Sequence, residues 1–151
     1  MSRSAFQVLV IPFRKLDNEY QYCLFLREDN NIWQAVAGGG EENESLLDAA
    51  SREFEEETGI GNGSYIQLQS MCYMPSIAVR KEFLEDDIVV IPEYSFAVEV
   101  NNKRIKLSSE HTRFEWLNYE EAIDQLHWDS NKTALWELDY KLKNNLLKKE
   151  G

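Results

Sequence analysis

The sequence predicts an α/β (α+β) domain in which a mixed β-sheet lies between helices on its two faces. Three observations carry this prediction: apolar, β-branched runs of strand length, segments with apolar residues at helical spacing, and an order that intersperses the two. With 151 residues, 43% of them hydrophobic, the chain has enough apolar surface for one core. We therefore expect residues 1–151 to form a single domain.

The N-terminal part of the chain predicts a hairpin followed by a short strand. The run from Ala5 to Phe13 is almost continuously apolar, which is typical of a strand covered on both faces. A polar turn follows, and 20–27 is predicted to return as the second strand. A further short strand, 33–37, leads into three consecutive glycines.

The first helix is predicted from Ser45 to Thr58. Ser45 is a good N-terminal cap, and Gly59 is a good residue to end the helix. The side chains predicted to be buried on this helix are Leu47, Ala50 and Phe54.

The second half of the chain predicts three strands and two helices. The strands are expected at 65–73, 94–100 and 114–117, and part of the segment 74–93 is expected to form a mobile hairpin or loop over the site. Asn118 and Glu121 resemble a capping box that opens a short helix. A C-terminal helix is predicted from Asn131 to about Leu147. Its apolar stripe is expected to comprise Leu135, Leu138, Leu142 and Leu146.

The charge of the chain narrows the classes of function. Its 27 acidic and 16 basic residues give a net charge of −11, which disfavours binding to a nucleic-acid polymer through a basic face. An acidic protein that handles phosphates needs a metal.

Because no apolar run is long enough to span a bilayer and the N-terminus lacks a signal-peptide pattern, we expect a cytoplasmic protein with no membrane partner. Cys23 and Cys72 lie in apolar runs and are predicted to be core thiols.

Acidic residues are concentrated in the segment 38–60, which holds eight of the 27. Like charges three and four residues apart on a helix repel each other. Glu53, Glu56 and Glu57 share one helix face, about 110° from the predicted apolar stripe. Either this face is only solvated, or it holds a cation.

The spacing of residues in this segment resembles the Nudix box. That motif is a glycine, five residues, a glutamate, seven residues, then Arg-Glu-apolar-any-Glu-Glu-any-Gly-apolar. The residues that fill its defined positions are Gly38, Glu44, Arg52, Glu53, Phe54, Glu56, Glu57, Gly59 and Ile60. The resemblance implies the α/β/α sandwich of that family and hydrolysis of a nucleoside diphosphate linked to another group.

The resemblance also implies roles for individual residues. Glu53 and Glu57 are the implied metal ligands, and Glu56 is a ligand or the base that activates water. Mg²⁺ takes carboxylate oxygens and bridges to phosphates, so Mg²⁺ is the expected cofactor, with Mn²⁺ as the alternative. Arg52 is implied to orient a carboxylate of the catalytic group, and Glu44 to support it. Gly38 and Gly39 are expected to let the backbone approach the substrate closely.

Three patches outside the box resemble the dihydroneopterin triphosphate and dATP pyrophosphohydrolase branch of the family. They are 32–36, 109–116 and 128–132. By this resemblance Glu110 is an additional metal ligand or base, and neighbouring His111 fixes a loop. The remaining residues implied to contact the substrate are Ala37, Ser130, Arg3 and Arg27.

The leading interpretation is therefore a pyrophosphohydrolase that splits a nucleoside or pterin triphosphate into the monophosphate and pyrophosphate. One alternative substrate is ADP-ribose or another nucleoside diphosphate sugar, because Pro75 lies close to where that branch carries a proline. Two non-enzymatic alternatives are a nucleotide-binding Nudix module, which the intact box acids disfavour, and a structural protein with an acidic helix. The expected partner is a small-molecule nucleotide, and the sequence leaves the oligomeric state open.

Overall fold

The computed structural model describes residues 3–76, 87–101, 104–109 and 111–147. Within this part of the chain, a mixed sheet lies between helices, which confirms the predicted fold class. The elements in chain order are β1 (Arg3–Leu16), β2 (Glu19–Arg27), β3 (Trp33–Gln34), β4 (Val36–Glu41), α1 (Leu46–Thr58), β5 (Ser64–Pro75), β6 (Val90–Glu99), β7 (His111–Leu117), α2 (Tyr119–Gln125) and α3 (Asp129–Lys143).

Strand β1 organises the sheet. The sheet order is β3-β2-β1-β6-β5, and in addition β4 pairs with β1 and β7 pairs with β2. The pairing of β1 with β6 is parallel, from Gln7 opposite Glu93 to Phe13 opposite Glu99, whereas β1 pairs with β2 and β4 in the antiparallel sense. Because β1 contacts three strands, residues from distant parts of the sequence meet along it.

Different helices cover the two faces of the sheet. On one face, Ala50 and Phe54 of α1 pack with Val8 and Val10 of β1. On the other face, α2 and α3 supply the apolar side chains that pack with Leu9 and its neighbours. Alternate residues of β1 point to opposite faces, so this one strand contributes to both cores.

Helix α1 has the predicted ends but a different buried stripe. The Ser45 hydroxyl accepts a hydrogen bond from the Asp48 N–H at 3.1 Å, and Gly59 ends the helix with a left-handed φ of 76°. The predicted burial of Leu47 is wrong, since this side chain is 40% exposed. The helix is rotated so that Glu57 faces the protein and is only 5% exposed.

The segment 74–93, part of which is predicted to be a hairpin or loop, contains strand at both of its ends. β5 continues to Pro75 and β6 begins at Val90, with these two residues paired. Both prolines are tolerated because β5 lies at the edge of the sheet, and Pro92 lies just before the β1–β6 pairing begins at Glu93. Residues 77–86 lie outside the described part of the chain.

The C-terminal helix is shorter than predicted at its end. α3 begins at Asp129 and ends at Lys143, and its Leu135 and Leu138 are fully buried. The predicted burial of Leu146 is wrong, because this residue lies beyond the helix and is 55% exposed.

Both cysteines are free thiols. Cys23 is buried and Cys72 is half-buried, and neither forms a disulfide. In the described part of the chain, no helix is long and apolar enough to cross a membrane.

The capping box predicted at the start of α2 is confirmed, and it gives a stability prediction. The Asn118 Oδ1 atom accepts a hydrogen bond from the Glu121 N–H at 2.9 Å, and the Glu121 carboxylate accepts one from the Asn118 N–H. We expect Asn118→Ala to lower the free energy of unfolding by about 1 kcal/mol, measured by urea denaturation, because an N–H at the helix end loses its acceptor. The control is Asp124→Ala on the exposed side of α2. Equal losses in the two variants would contradict the prediction.

Candidate active site

The glycine strand packs directly against the acidic helix. A Cβ atom built on Gly38 of β4 would lie 2.1 Å from the carboxyl carbon of Glu53 on α1. Only a glycine leaves room for that carboxylate in its present position. The backbone of β4 and the Glu53 side chain are therefore in contact.

Arg52 lies at the centre of a group of carboxylates. Its Nε and Nη2 atoms donate to the Glu44 carboxylate at 2.7 and 2.9 Å, and its Nη1 atom donates to Glu53 at 2.9 Å and to Glu56 at 3.2 Å. Nη2 also donates to the Gly39 carbonyl at 2.9 Å. The hydrogen bonds with Glu44 raise the pKa of Arg52 above its already high value, so this side chain stays charged. The guanidinium offsets the repulsion among the acids and ties β4 to α1.

Glu57 is the buried member of the acidic group. Its Oε2 atom lies 2.6 Å from Nδ1 of His111, and the Ser108 hydroxyl donates to both of its oxygens. Burial raises the pKa of Glu57, but the hydrogen bonds with His111 and Ser108 outweigh burial and lower the pKa overall. The positive charge of Arg27 acts in the same direction. Glu57 is therefore held as a carboxylate at neutral pH.

The predicted acidic face is not uniform. Glu56 is 58% exposed, whereas the Glu53 side chain is 15% exposed and that of Glu57 only 6%. The expectation that this face takes no part in packing is therefore wrong for Glu57. The segment 104–109 crosses the end of α1, where the Lys106 N–H donates to the Thr58 carbonyl at 2.8 Å.

The donor set fits a hard divalent cation. Glu53 and Glu56 both contact Nη1 of Arg52, so two carboxylates converge on one positive charge. Such oxygens are the ligands that Mg²⁺ prefers. Among the described residues, no three His, Cys, Asp or Glu side chains surround a common metal position. Glu53 and Glu56 are the residues that would hold the ion, and Glu57, which contacts His111, follows Glu56 on the same helix.

Two of the predicted substrate contacts lie on strands next to the box. Ala37 of β4 is paired with Leu9 of β1, directly before the glycines. Arg27 ends β2 opposite His111 of β7, and its guanidinium binds the Asp29 carboxylate at 2.9 and 3.0 Å. Both residues therefore lie near the acidic helix. The predicted contacts of Glu110 and of the Arg3 side chain fall outside the described part of the structure.

The patches 32–36 and 128–132 meet in space. The Trp128 Nε1 atom donates to the Gln34 side-chain oxygen at 3.2 Å, and the Ala35 N–H donates to Asn131 Oδ1 at 2.9 Å. These bonds fix the start of α3 beside the strand that leads into the glycines. Trp128 itself is 45% exposed.

Ser130 borders a buried carboxyl group that the sequence analysis missed. Glu93 is 5% exposed, and its carboxyl group accepts hydrogen bonds from Gln7 and Cys72. Burial raises the pKa of Glu93, and the nearby Gln7, Ser130 and Cys72 side chains only partly oppose that rise. The structure thus brings Ser130 next to an acid on strand β6 for which the sequence predicts no role.

A signal for Glu93 was present in the sequence. Ile91, Glu93, Ser95 and Ala97 alternate with outward or oppositely directed residues, and all four are buried. Extending the strand pattern of β6 back through Pro92 would have placed Glu93 on the inward face.

The sequence matches a known domain family and several known proteins. The NUDIX domain family matches residues 5–136. An octanoyltransferase from Myxococcus xanthus is 35% identical over 100 residues, which are 66% of this chain and 26% of that protein, so the chain spans about a quarter of this relative's length. The asymmetrical bis(5'-nucleosyl)-tetraphosphatase of Rattus norvegicus is 28% identical over 125 residues, which are 82% of each protein.

Solved structures resemble the whole chain. A Listeria monocytogenes protein described as a NUDIX hydrolase has a TM-score of 0.87 and 42% identity, covering 96% of this chain and 99% of that one. The E. coli dihydroneopterin triphosphate pyrophosphohydrolase has a TM-score of 0.74 and 22% identity, covering 92% and 99%. The NUDIX domain of Shewanella oneidensis NrtR, solved with ADP ribose, has a TM-score of 0.71 and 14% identity, covering 94% and 90%. The last two show the likeness of fold alone.

Carboxylates gathered on a helix beside a glycine strand, within this sheet order, define a domain of the class that acts on phosphoanhydride bonds. The family match extends over most of the sequence, and this chain belongs to the Nudix family. Nudix hydrolases generally use divalent metal ions, and related domains bind small-molecule nucleotides such as ADP-ribose.

The contact between Gly38 and Glu53 gives a test of metal binding. We expect Gly38→Ala to weaken Mn²⁺ binding about 10- to 100-fold in isothermal titration calorimetry, because the new methyl group displaces the Glu53 carboxylate. The melting temperature should change little, since the displaced atoms are at the end of a flexible side chain. The matched control is Gly61→Ala, whose Cβ meets only the Glu55 side chain, at 3.2 Å. Wild-type affinity in Gly38→Ala would remove Glu53 from the metal site.

Proposed function

We propose that this chain is a Mg²⁺-dependent Nudix pyrophosphohydrolase that converts a nucleoside or pterin triphosphate into the monophosphate and pyrophosphate. Its substrates would be small-molecule nucleotides of the cytoplasm. The observation that carries the proposal is the contact between Glu57 and His111, which joins the box helix to the patch that resembles the triphosphate branch. The contact of Gln34 with Trp128 joins the other two patches of that branch.

The reaction adds one water molecule across a phosphoanhydride bond. Bound Mg²⁺ would neutralise charge at the phosphoryl oxygens and lower the pKa of a water molecule. Glu53 and Glu56 would hold the ion, and Arg52, which donates to both carboxylates, orients them. Glu56 is the most exposed of the box glutamates, which suits it to take a proton from the attacking water. Glu110 is proposed, by resemblance, as a further ligand or base.

A second candidate keeps the chemistry and changes the group attached to the nucleotide. A dinucleoside tetraphosphate is favoured by the rat relative, which matches over 82% of both proteins. ADP-ribose or another nucleoside diphosphate sugar is the candidate suggested by Pro75. These substrates are distinguished by their products: a mononucleotide plus a nucleoside triphosphate, or AMP plus a sugar phosphate.

The test of the proposal is a substrate panel with Mg²⁺, with products separated by chromatography. The panel comprises dATP, dGTP, dihydroneopterin triphosphate, diadenosine tetraphosphate and ADP-ribose. We expect a triphosphate to have the highest kcat/KM and to yield pyrophosphate. A higher value for ADP-ribose or the tetraphosphate would replace the proposal with the second candidate.

The role of Glu57 is tested by an isosteric substitution. Glu57→Gln is expected to lower kcat on the best substrate by about 100-fold, because the site loses a carboxylate that is ionised in the wild type. The matched control is Glu55→Gln on the exposed side of the same helix. Turnover by Glu57→Gln as fast as by the control would show that the assigned site is wrong.

The pH dependence of activity follows from the same ionisation. Since the pKa of Glu57 is lowered, this group is already charged in mildly acidic solution and does not limit the rate near neutral pH. The attacking water must still lose a proton, so kcat should rise from pH 6 towards pH 9. Steady-state assays across this range, with circular dichroism to confirm folding, measure the profile. A maximum near pH 5 is the contrary result.

A further inference from the structure

A row of directly paired residues crosses the sheet beside the glycine strand. Gly39 of β4 is opposite Gln7 of β1, Gln7 is opposite Glu93 of β6, and Glu93 is opposite Cys72 of β5. The alternation of β1 places Gln7 on the face covered by α3, the same face as Leu9. The side chain of Ser130, in the first turn of α3, lies next to Glu93 and Cys72.

Glu93 is a carboxyl group with hydrogen-bond donors around it and no ion-pair partner in the part of the chain that the structure describes. Gln7 Nε2 donates to its Oε2 atom at 3.3 Å, and the Cys72 thiol donates to its Oε1 atom at 3.9 Å. Among the described residues, no basic side chain forms an ion pair with Glu93, although it is only 5% exposed. A carboxylate buried without a cation costs free energy, and an apolar residue would stabilise this position better. The site therefore has an acceptor group that packing alone does not explain.

The row lies within reach of a ligand that also contacts the box. Gly39 and Glu93 are two strands apart, about 10 Å at the usual strand spacing. Ser130 and Cys72 are only half-buried, so the end of the row next to α3 borders solvent. A nucleotide whose phosphates lie at the glycines can therefore extend its ring towards Glu93.

We propose that Glu93, supported by Gln7 and Ser130, binds the edge of the substrate's heterocycle and selects rings in which a ring N–H adjoins an amino group. Guanine and pterin rings share this edge. Two parallel N–H donors match the two oxygens of a carboxylate, as a guanidinium does. The corresponding edge of adenine has one donor and one acceptor and does not match. This inference rests on the proposed function, because it assigns the ring of that same substrate.

The experiment compares kcat/KM for dGTP and dATP, and for dihydroneopterin triphosphate, in Glu93→Gln and in a matched control. The control is Glu99→Gln, which makes the same change further along β6, opposite Phe13. We expect Glu93→Gln to lower the ratio of dGTP to dATP about 10- to 100-fold, with a similar loss for the pterin, because the amide offers one acceptor and one donor. The control should keep the wild-type ratio. An unchanged ratio in Glu93→Gln overturns the proposal.

A binding measurement separates this inference from the proposed function. Isothermal titration calorimetry of dGMP and dAMP without metal reports ring recognition and needs no turnover. If no triphosphate is hydrolysed but Glu93→Gln loses the preference for dGMP, the proposed function fails and the role of Glu93 stands. If triphosphates are hydrolysed and Glu93→Gln binds dGMP as the wild type does, the role of Glu93 fails alone. Should Glu93→Gln not fold, Ser130→Ala takes its place, and an unchanged preference for dGMP in that variant overturns the proposal.

Discussion

The guanidinium of Arg52 is the interaction on which the rest of the site depends. It donates to Glu44 before the helix, to Glu53 and Glu56 on it, and to the Gly39 carbonyl of the neighbouring strand. A chain with a net charge of −11 gathers acids here at a cost in repulsion, which this one cation offsets. A lysine could not replace it, because a single ammonium group lacks the planar fork that reaches several acceptors at fixed angles.

The two faces of the sheet carry different groups of polar side chains. Gly38 and Glu53 meet on the face covered by α1, where the carboxylates gather. Gln7 and Glu93 lie on the face covered by α3. The glycine strand lies between the two groups. In the proposed function, backbone would hold the part of a ligand at the glycines, and side chains of different chemistry would contact its two ends.

Local features of the structure could be predicted from the sequence, and long-range ones could not. Ser45 and Gly59 each cap one end of α1 through a backbone group three or four residues away, and Asn118 and Glu121 cap α2 in the same local way. The structure has all of these caps. The box has nine defined positions at fixed spacing, so it predicts the family. It leaves the substrate open, because the residues that bear on the group attached to the nucleotide lie outside the box. The prediction that Leu47 is buried was wrong, because the rotation of a helix about its axis is set by the sheet on which it packs. The burial of Glu57 depends on Ser108 and His111, which are 51 and 54 residues away.

Glu93 ends a segment whose structure the sequence leaves open. Prolines at 75 and 92 are ordinary signals for a loop, and both are accommodated here because the strands around them lack a partner on one side. That circumstance is a property of the sheet order, which the sequence between the prolines does not encode.

The parallel pairing of β1 with β6 also has a consequence for how the protein folds. The bond between Gln7 and Glu93 joins residues 86 positions apart, so a long loop must close before it forms. During synthesis the β1–β2 hairpin and the acidic helix emerge first, and they can form through contacts near in sequence. The ring-binding row cannot exist until β6 has been made and inserted beside β1, which is a slow step for a topology rich in distant contacts. The residues of the family motif are thus synthesised before β6, whereas the surface that would distinguish one substrate from another needs β6 in place.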